Sequence, residues 1–252
     1  MENTAFLLLS CDKYFDMIPP FAKLMSRFWS DCPFPKYAAT NTRAFKEEGF
    51  NPILIGDDSS WSTGLKRACV QLEMLGYKYV LITLEDLFLK EKVNTEKVSA
   101  IVSEFIKIDG NYIRFYKHFD PPRRVNSLFG ELPKNTPYRQ NCVYALWKIS
   151  TLKKILKDGE NAWDFEKVAV ERGYEYDGFY AVYENQFKIL NTLIKGKWVP
   201  SDFRRARRLL PELKTERQKM TMWEELKLNC KRGVFCTVCA VLPQKLQKQI
   251  LK

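Results

Sequence analysis

Short, unbroken apolar runs alternate along the chain with longer stretches in which apolar residues recur every three or four positions. The runs "TAFLLLS" (4–10), "KYAAT" (36–40), "PILIG" (52–56), Val80–Leu84 and "YIRFY" (112–116) are too short for amphipathic helices and predict buried strands. Between them, Phe21, Leu24, Met25 and Phe28 follow a proline pair at helical spacing. Leu65, Cys69 and Leu72 share a face over 62–75, with Ser62 as the expected N-cap, and Val98, Ile101, Val102 and Phe105 form a stripe over 94–108. Strand followed by helix predicts a mostly parallel α/β sheet covered on both faces. The second half is less regular. Residues 119–140 hold four prolines and read as a long loop or a pair of short hairpins, whereas 150–173 read as a short helix from Ser150, a stop at Gly159 and a second helix capped by Asn161.

In open sheets of this kind ligands bind beyond the carboxyl ends of the strands. That rule singles out Ser10, Cys11 and Asp12 after the first strand, and Glu85 and Asp86 after the strand Val80–Leu84. The acidic pair is expected on an exposed rim, where hard carboxylate oxygens suit Mg²⁺ or Mn²⁺; capping the next segment or pairing with a lysine would also account for it.

Other chemistries lack their motifs. Neither GxGxxG nor GxxxxGK[ST] occurs, there is no GxSxG, and the single histidine, His118, falls in a loop-like segment. "CTVC" (236–239) has half the spacing of a zinc or redox site without a second pair. Seven scattered cysteines do not form a disulfide framework, which points to a reducing compartment, and the N-terminal run reads as a first strand and not as a signal peptide. Charge is uneven: residues 1–194 hold 26 Lys/Arg and 25 Asp/Glu, residues 195–252 hold 15 and 5. The basic segment mixes arginines with Trp223, Phe235 and the apolar run Val234–Leu242, a composition suited to an anionic membrane surface; a solvated helix pair packed on the body is the other reading.

Taken in order, "LLLSCDKYFDMIPPFAKLMSRFWSDCPFPKY", "WSTGLKRA", "YVLITLEDLFL", "YRQNCVYALWKISTLKKILKDGENAWDFE" and "GKW" resemble bacterial glycosyltransferases of surface polysaccharide (capsule or lipopolysaccharide) biosynthesis. The resemblance covers roughly residues 5–200. It implies a GT-A-like domain over 1–200; residues 201–252 lie outside it and read from their composition as a basic amphipathic helical tail. It also implies a nucleotide-sugar pocket lined by Ser10, Cys11, Asp12, Trp61, Ser62, Arg67 and Glu85, and a divalent cation (Mn or Mg) at Asp86 with Glu85. Gln140 and Trp163 are expected on the acceptor side, and Glu166 or Asp164 as the base of an inverting transfer. Leu84-Glu85-Asp86-Leu87 departs from a true DxD. The implied partners are a nucleotide-sugar donor and a glycan or lipid-linked acceptor; the composition of the tail adds an anionic membrane surface, expected at the cytosolic face of the inner membrane. Two rivals stand beside this reading: a nucleotidyltransferase on a similar sheet, and a non-enzymatic module binding nucleic acid through the tail, which the lack of exposed aromatics among the sheet's basic residues disfavours.

Overall fold

A computed structural model describes residues 3–241 except 58, 117–119, 135, 137 and 168–170, with side chains described as far as 233. His118 and the side chains of the 236–239 cysteine pair and of the run from Val234 therefore lie outside the described residues. The strands are β1 (Thr4–Leu9), β2 (Lys36–Thr40), β3 (Phe50–Leu54), β4 (Tyr79–Leu84), β5 (Leu87–Leu89), β6 (Tyr112–Arg114), β7 (Arg123–Arg124), β8 (Phe129–Glu131), β9 (Ala145–Lys148), β10 (Phe179–Val182), β11 (Ile189–Asn191), β12 (Leu193–Ile194) and β13 (Lys197–Trp198). The helices are α1 (Ile18–Phe28), α2 (Trp61–Met74), α3 (Thr95–Lys107), α4 (Ile149–Ile155), α5 (Ala162–Lys167), α6 (Pro200–Leu209) and α7 (Met222–Val241).

Among the described residues, nine strands form the main sheet in the order β3-β2-β1-β4-β9-β6-β10-β8-β7. Strands β3, β2, β1 and β4 run parallel, as do β6 and β10, while β9 lies antiparallel between β4 and β6. Period-two alternation sends Phe6 and Leu8 to one face of β1, and Ala5, Leu7 and Leu9 to the other. The first face packs on α1, α3 and α6, and the second on α2, α4 and α5. Two dry layers thus fix the central strands, and their carboxyl ends are the edge left open.

Several boundaries differ from the sequence reading. β3 starts at Phe50, two residues earlier than expected, and Pro52 is tolerated because β3 is an edge strand. Ser60, not Ser62, caps α2, its hydroxyl accepting from the Thr63 amide at 3.1 Å. The proline-rich stretch contains the β7–β8 hairpin, and Asn161 does cap α5 through the Trp163 and Asp164 amides.

The boundary expected at residue 200 falls inside packed structure. Phe203, Ala206, Leu210 and Leu213 belong to the core under the first face, and the Trp198 amide donates to the Gln218 carbonyl at 2.9 Å. Arg217 holds Asp16 through Nε at 2.7 Å, and its guanidinium lies 4.5 Å above the Tyr14 ring. Residues 200–221 are therefore part of the body, and the first turn of α7 is tied to it through Glu224 to Lys197 and Glu225 to the Ser201 amide. No helix among the described residues is long and apolar enough to cross a membrane.

Candidate functional site

β4 ends at Leu84, the chain turns through Glu85 and Asp86, and β5 resumes in a different, two-stranded sheet with β11. The acidic pair is thus placed by a change of sheet. Thr192, just after β11, locks the turn: its amide and hydroxyl both donate to the Asp86 carbonyl, at 2.9 and 2.8 Å. The pair lines a cavity of about 540 Å³ at the carboxyl ends of β1 and β4.

The expectation of an exposed rim is corrected here. Glu85 is only 9% exposed, and Oδ1 of Asp86 is buried with no hydrogen-bond partner among the described residues. Burial, and then repulsion from Asp86, raise the Glu85 pKa, with the Ser10 hydroxyl and the Arg217 charge offsetting part of the rise. Burial raises Asp86 as well. Glu85 and the Oδ1 of the half-buried Asp86 are held away from water with no ion-pair partner among the described residues, an arrangement that favours a proton or a cation between them.

The opposite wall comes from α2 and α5. Ser60 joins them, since its hydroxyl also accepts from the Gly159 amide at 3.1 Å. Gly64 permits the close approach of α2 to β3, because a Cβ there would stand 2.8 Å from Cδ1 of Ile55. Trp61 and Trp163 line this wall; Trp163 is 62% exposed, a free aromatic face at the cavity mouth. Glu166 also lines it, and burial raises its pKa to about 7, Lys167 offsetting slightly.

Seven of the sequence-predicted residues therefore meet at one cavity: Ser10, Cys11, Trp61, Glu85, Asp86, Trp163 and Glu166. Five do not line it. Asp12 is taken up in accepting from the Thr42 amide and hydroxyl and the Arg43 amide, which closes the loop after β2. Ser62 is wholly buried, its hydroxyl accepting from the Glu160 amide, and Arg67 is spent on the Ile55 carbonyl and the Asp57 carboxylate. Gln140 lies in the core beside Gly173 and donates to the Phe165 carbonyl at 3.4 Å. Asp164 turns back on its own cap and accepts from Nδ2 of Asn161 at 2.6 Å.

Sequence reasoning missed Asn41, Asn191 and Lys195, which also line the cavity. The side-chain oxygen of Asn41 accepts from the Asp12 amide at 2.9 Å, whereas the Asn191 side-chain oxygen is buried and has no partner among the described residues. Together with Asp86 Oδ1 and Trp61 Nε1, it makes three orphaned polar atoms on residues of one cavity. Each such atom costs on the order of 1–3 kcal/mol unless something fills the need. A local signal existed only for Lys195, in the hairpin pair Lys195-Gly196.

No protein-family model matches the chain, and no curated protein matches it. Solved structures do. The complex of S. aureus TarS 1–349 with UDP aligns at a TM-score of 0.51 and 10% identity, over 98% of this chain and 77% of that one. TarS is a glycosyltransferase with a GT-A-like architecture. The fold is GT-A-like. A second TarS structure aligns at 0.47 and 8% identity, covering 94% of this chain and 43% of that one. UDP-glucose pyrophosphorylase complexed with UDP-glucose aligns at 0.45 and 8%, covering 75% and 92%. At 10% identity, what the chain shares with the TarS–UDP complex is the fold.

Proposed function

We propose that the chain is a nucleotide-sugar-dependent glycosyltransferase that adds a sugar to a growing, lipid-linked bacterial surface glycan. The observation that carries this reading is the buried acidic pair with an orphaned oxygen, set in a cavity at the carboxyl edge of a GT-A-like sheet. A 540 Å³ cavity is of a size to bury most of a small ligand such as a nucleotide-sugar. The complex of TarS with UDP supplies the donor class to test first.

Asp86 and Glu85 would hold a divalent cation, which when bound would neutralise the charge of the donor's diphosphate. The orphaned Asp86 oxygen fits that role. No group of three or more His, Cys, Asp or Glu able to hold a metal occurs among the described residues, so donor oxygens and water would complete the ligand set. Glu166, across the cavity, would accept the acceptor hydroxyl's proton as its oxygen attacks the anomeric carbon from the face opposite the leaving diphosphate, giving inversion. Trp163 would stack on the acceptor sugar. α7 would hold the enzyme at an anionic membrane: Met222, Trp223 and Leu226 are 84, 73 and 52% exposed, and Arg204, Arg205, Arg207 and Arg208 face solvent on the neighbouring α6.

The test is a melting screen with UDP, GDP, ADP and their sugar conjugates, with and without Mn²⁺. A native-state ligand raises the midpoint, so at least one nucleoside diphosphate should do so, and more strongly with metal. Failure of all of them sinks the reading. Release of pyrophosphate from a nucleoside triphosphate and a sugar phosphate would replace it with a nucleotidyltransferase.

A further inference from the structure

Among the described residues lining the cavity, Lys195 is the one basic residue. It is exposed, and its ammonium has no ion-pair partner among the described residues. The backbone that carries it is constrained. β12 and β13 pair Ile194 with Lys197, leaving Lys195-Gly196 as a two-residue hairpin turn, and both residues are left-handed, with φ of 51° and 77°. That is the type I′ pattern, whose first central position favours Asn, Asp or Gly; a lysine there is held against its conformational preference. Gly196 meets the same demand without cost, and its outward face lies close to the Tyr14 hydroxyl, 3.3 Å from where a Cβ would stand.

The hairpin is also rigidly registered to the acidic turn. Thr192, immediately before β12, donates twice to the Asp86 carbonyl and receives the Val199 amide from beyond β13, while Trp198 is fully buried against Phe88 and Phe203. A strained lysine on a rigid arm, tied to the acids and lining their cavity, has no folding role visible in its contacts.

We propose that Lys195 is the clamp that binds the donor's diphosphate from the hairpin side, beside the acidic turn to which Thr192 ties it. The inference rests on the nucleotide-sugar reading above and assigns the anion site within it. When the bond between anomeric carbon and diphosphate oxygen breaks, its electron pair stays on that oxygen, and the ammonium would balance part of the charge there.

The experiment measures equilibrium binding of UDP, UMP, uridine and inorganic pyrophosphate, each with Mg²⁺, to the full chain and to Lys195→Gln, Lys195→Arg and Lys195→Asn. Loss of one charged contact should weaken UDP and pyrophosphate roughly 10- to 100-fold in Lys195→Gln, leave uridine within about twofold, and be partly rescued in Lys195→Arg. Lys195→Asn creates the favoured Asn-Gly pair and should melt about 2–4 °C higher while losing the same affinity, so that lost binding is not lost folding. If the wild type binds UDP or pyrophosphate and Lys195→Gln binds it equally well, the clamp is wrong and the donor reading stands. If the wild type binds neither of them, nor any other nucleoside diphosphate, the donor reading fails and takes the clamp with it.

Discussion

A carboxylate with a buried, unpaired oxygen destabilises the fold that carries it, and Asp86 is such a group. Its pKa is raised above the unfolded value, so any stability from binding a proton is complete below the unfolded value and is lost as pH climbs through the folded one. Asp86→Asn removes that loss. Without metal, the variant should be more stable than the wild type by about 1–3 kcal/mol at pH 8, with the gap closing toward pH 4, while Mn²⁺ should raise the melting point of the wild type only. A variant less stable than the wild type at pH 8 would contradict the burial argument. Glu166 follows the same sign: with a pKa of about 7 it is mostly protonated at pH 6, and sugar transfer should rise with pH through about 7. Glu166→Gln should lose roughly two to four orders of magnitude in turnover and abolish that rise. Asp164→Asn should instead cost about 1 kcal/mol of stability and spare turnover, because its carboxylate only answers the Asn161 cap.

At the scale of elements, the site depends on how α2 and α5 are joined. The Ser60 hydroxyl accepts the Thr63 amide of its own helix and the Gly159 amide of the loop leading to α5. Ser60→Ala leaves both donors unmet, so it should cost about 1–2 kcal/mol in chemical denaturation and should also weaken acceptor affinity, since Trp163 and Glu166 ride on the loosened segment. Ser62→Ala, in the first turn of the same helix, would test a purely structural contact: stability should fall through the lost Glu160 amide bond, with donor affinity unchanged. A loss of donor affinity in the Ser62 variant would return Ser62 to the pocket.

For the whole molecule, the basic segment divides at about residue 221. Truncation after Val199 would strip Phe203, Ala206, Leu210 and Leu213 from the core, and that protein should fail to melt cooperatively. Truncation after Glu225 keeps the Lys197–Glu224 ion pair and the bond from the Ser201 amide to Glu225, and it should fold. In flotation with vesicles containing anionic lipid, the full chain should bind and release as salt rises, and the Glu225 truncation should bind far less. Equal binding by both would move the membrane contact from α7 to the arginines of α6.

Local pattern was enough for the alternation of strands and helices, for the acidic pair at a strand end and for the Asn161 cap, because each is decided by residues within a turn or a strand of one another. It was not enough for β9, whose four residues run straight into α4 and whose antiparallel place between β4 and β6 depends on partners more than 30 residues away. Nor could it separate Trp61, which reaches the cavity, from its neighbour Ser62, which turns into the core, since one helical residue is 100° of rotation and the cap had been placed two positions late. The burial of Glu85 and Asp86 was decided by tertiary structure alone: Thr192 closes over their turn from 106 positions onward, and a carboxylate's hydration depends on what packs above it. The same long reach brings Lys195 to the cavity and Arg217 to Asp16, so the sequence could nominate acids for chemistry but only the folded chain could say which had lost their water.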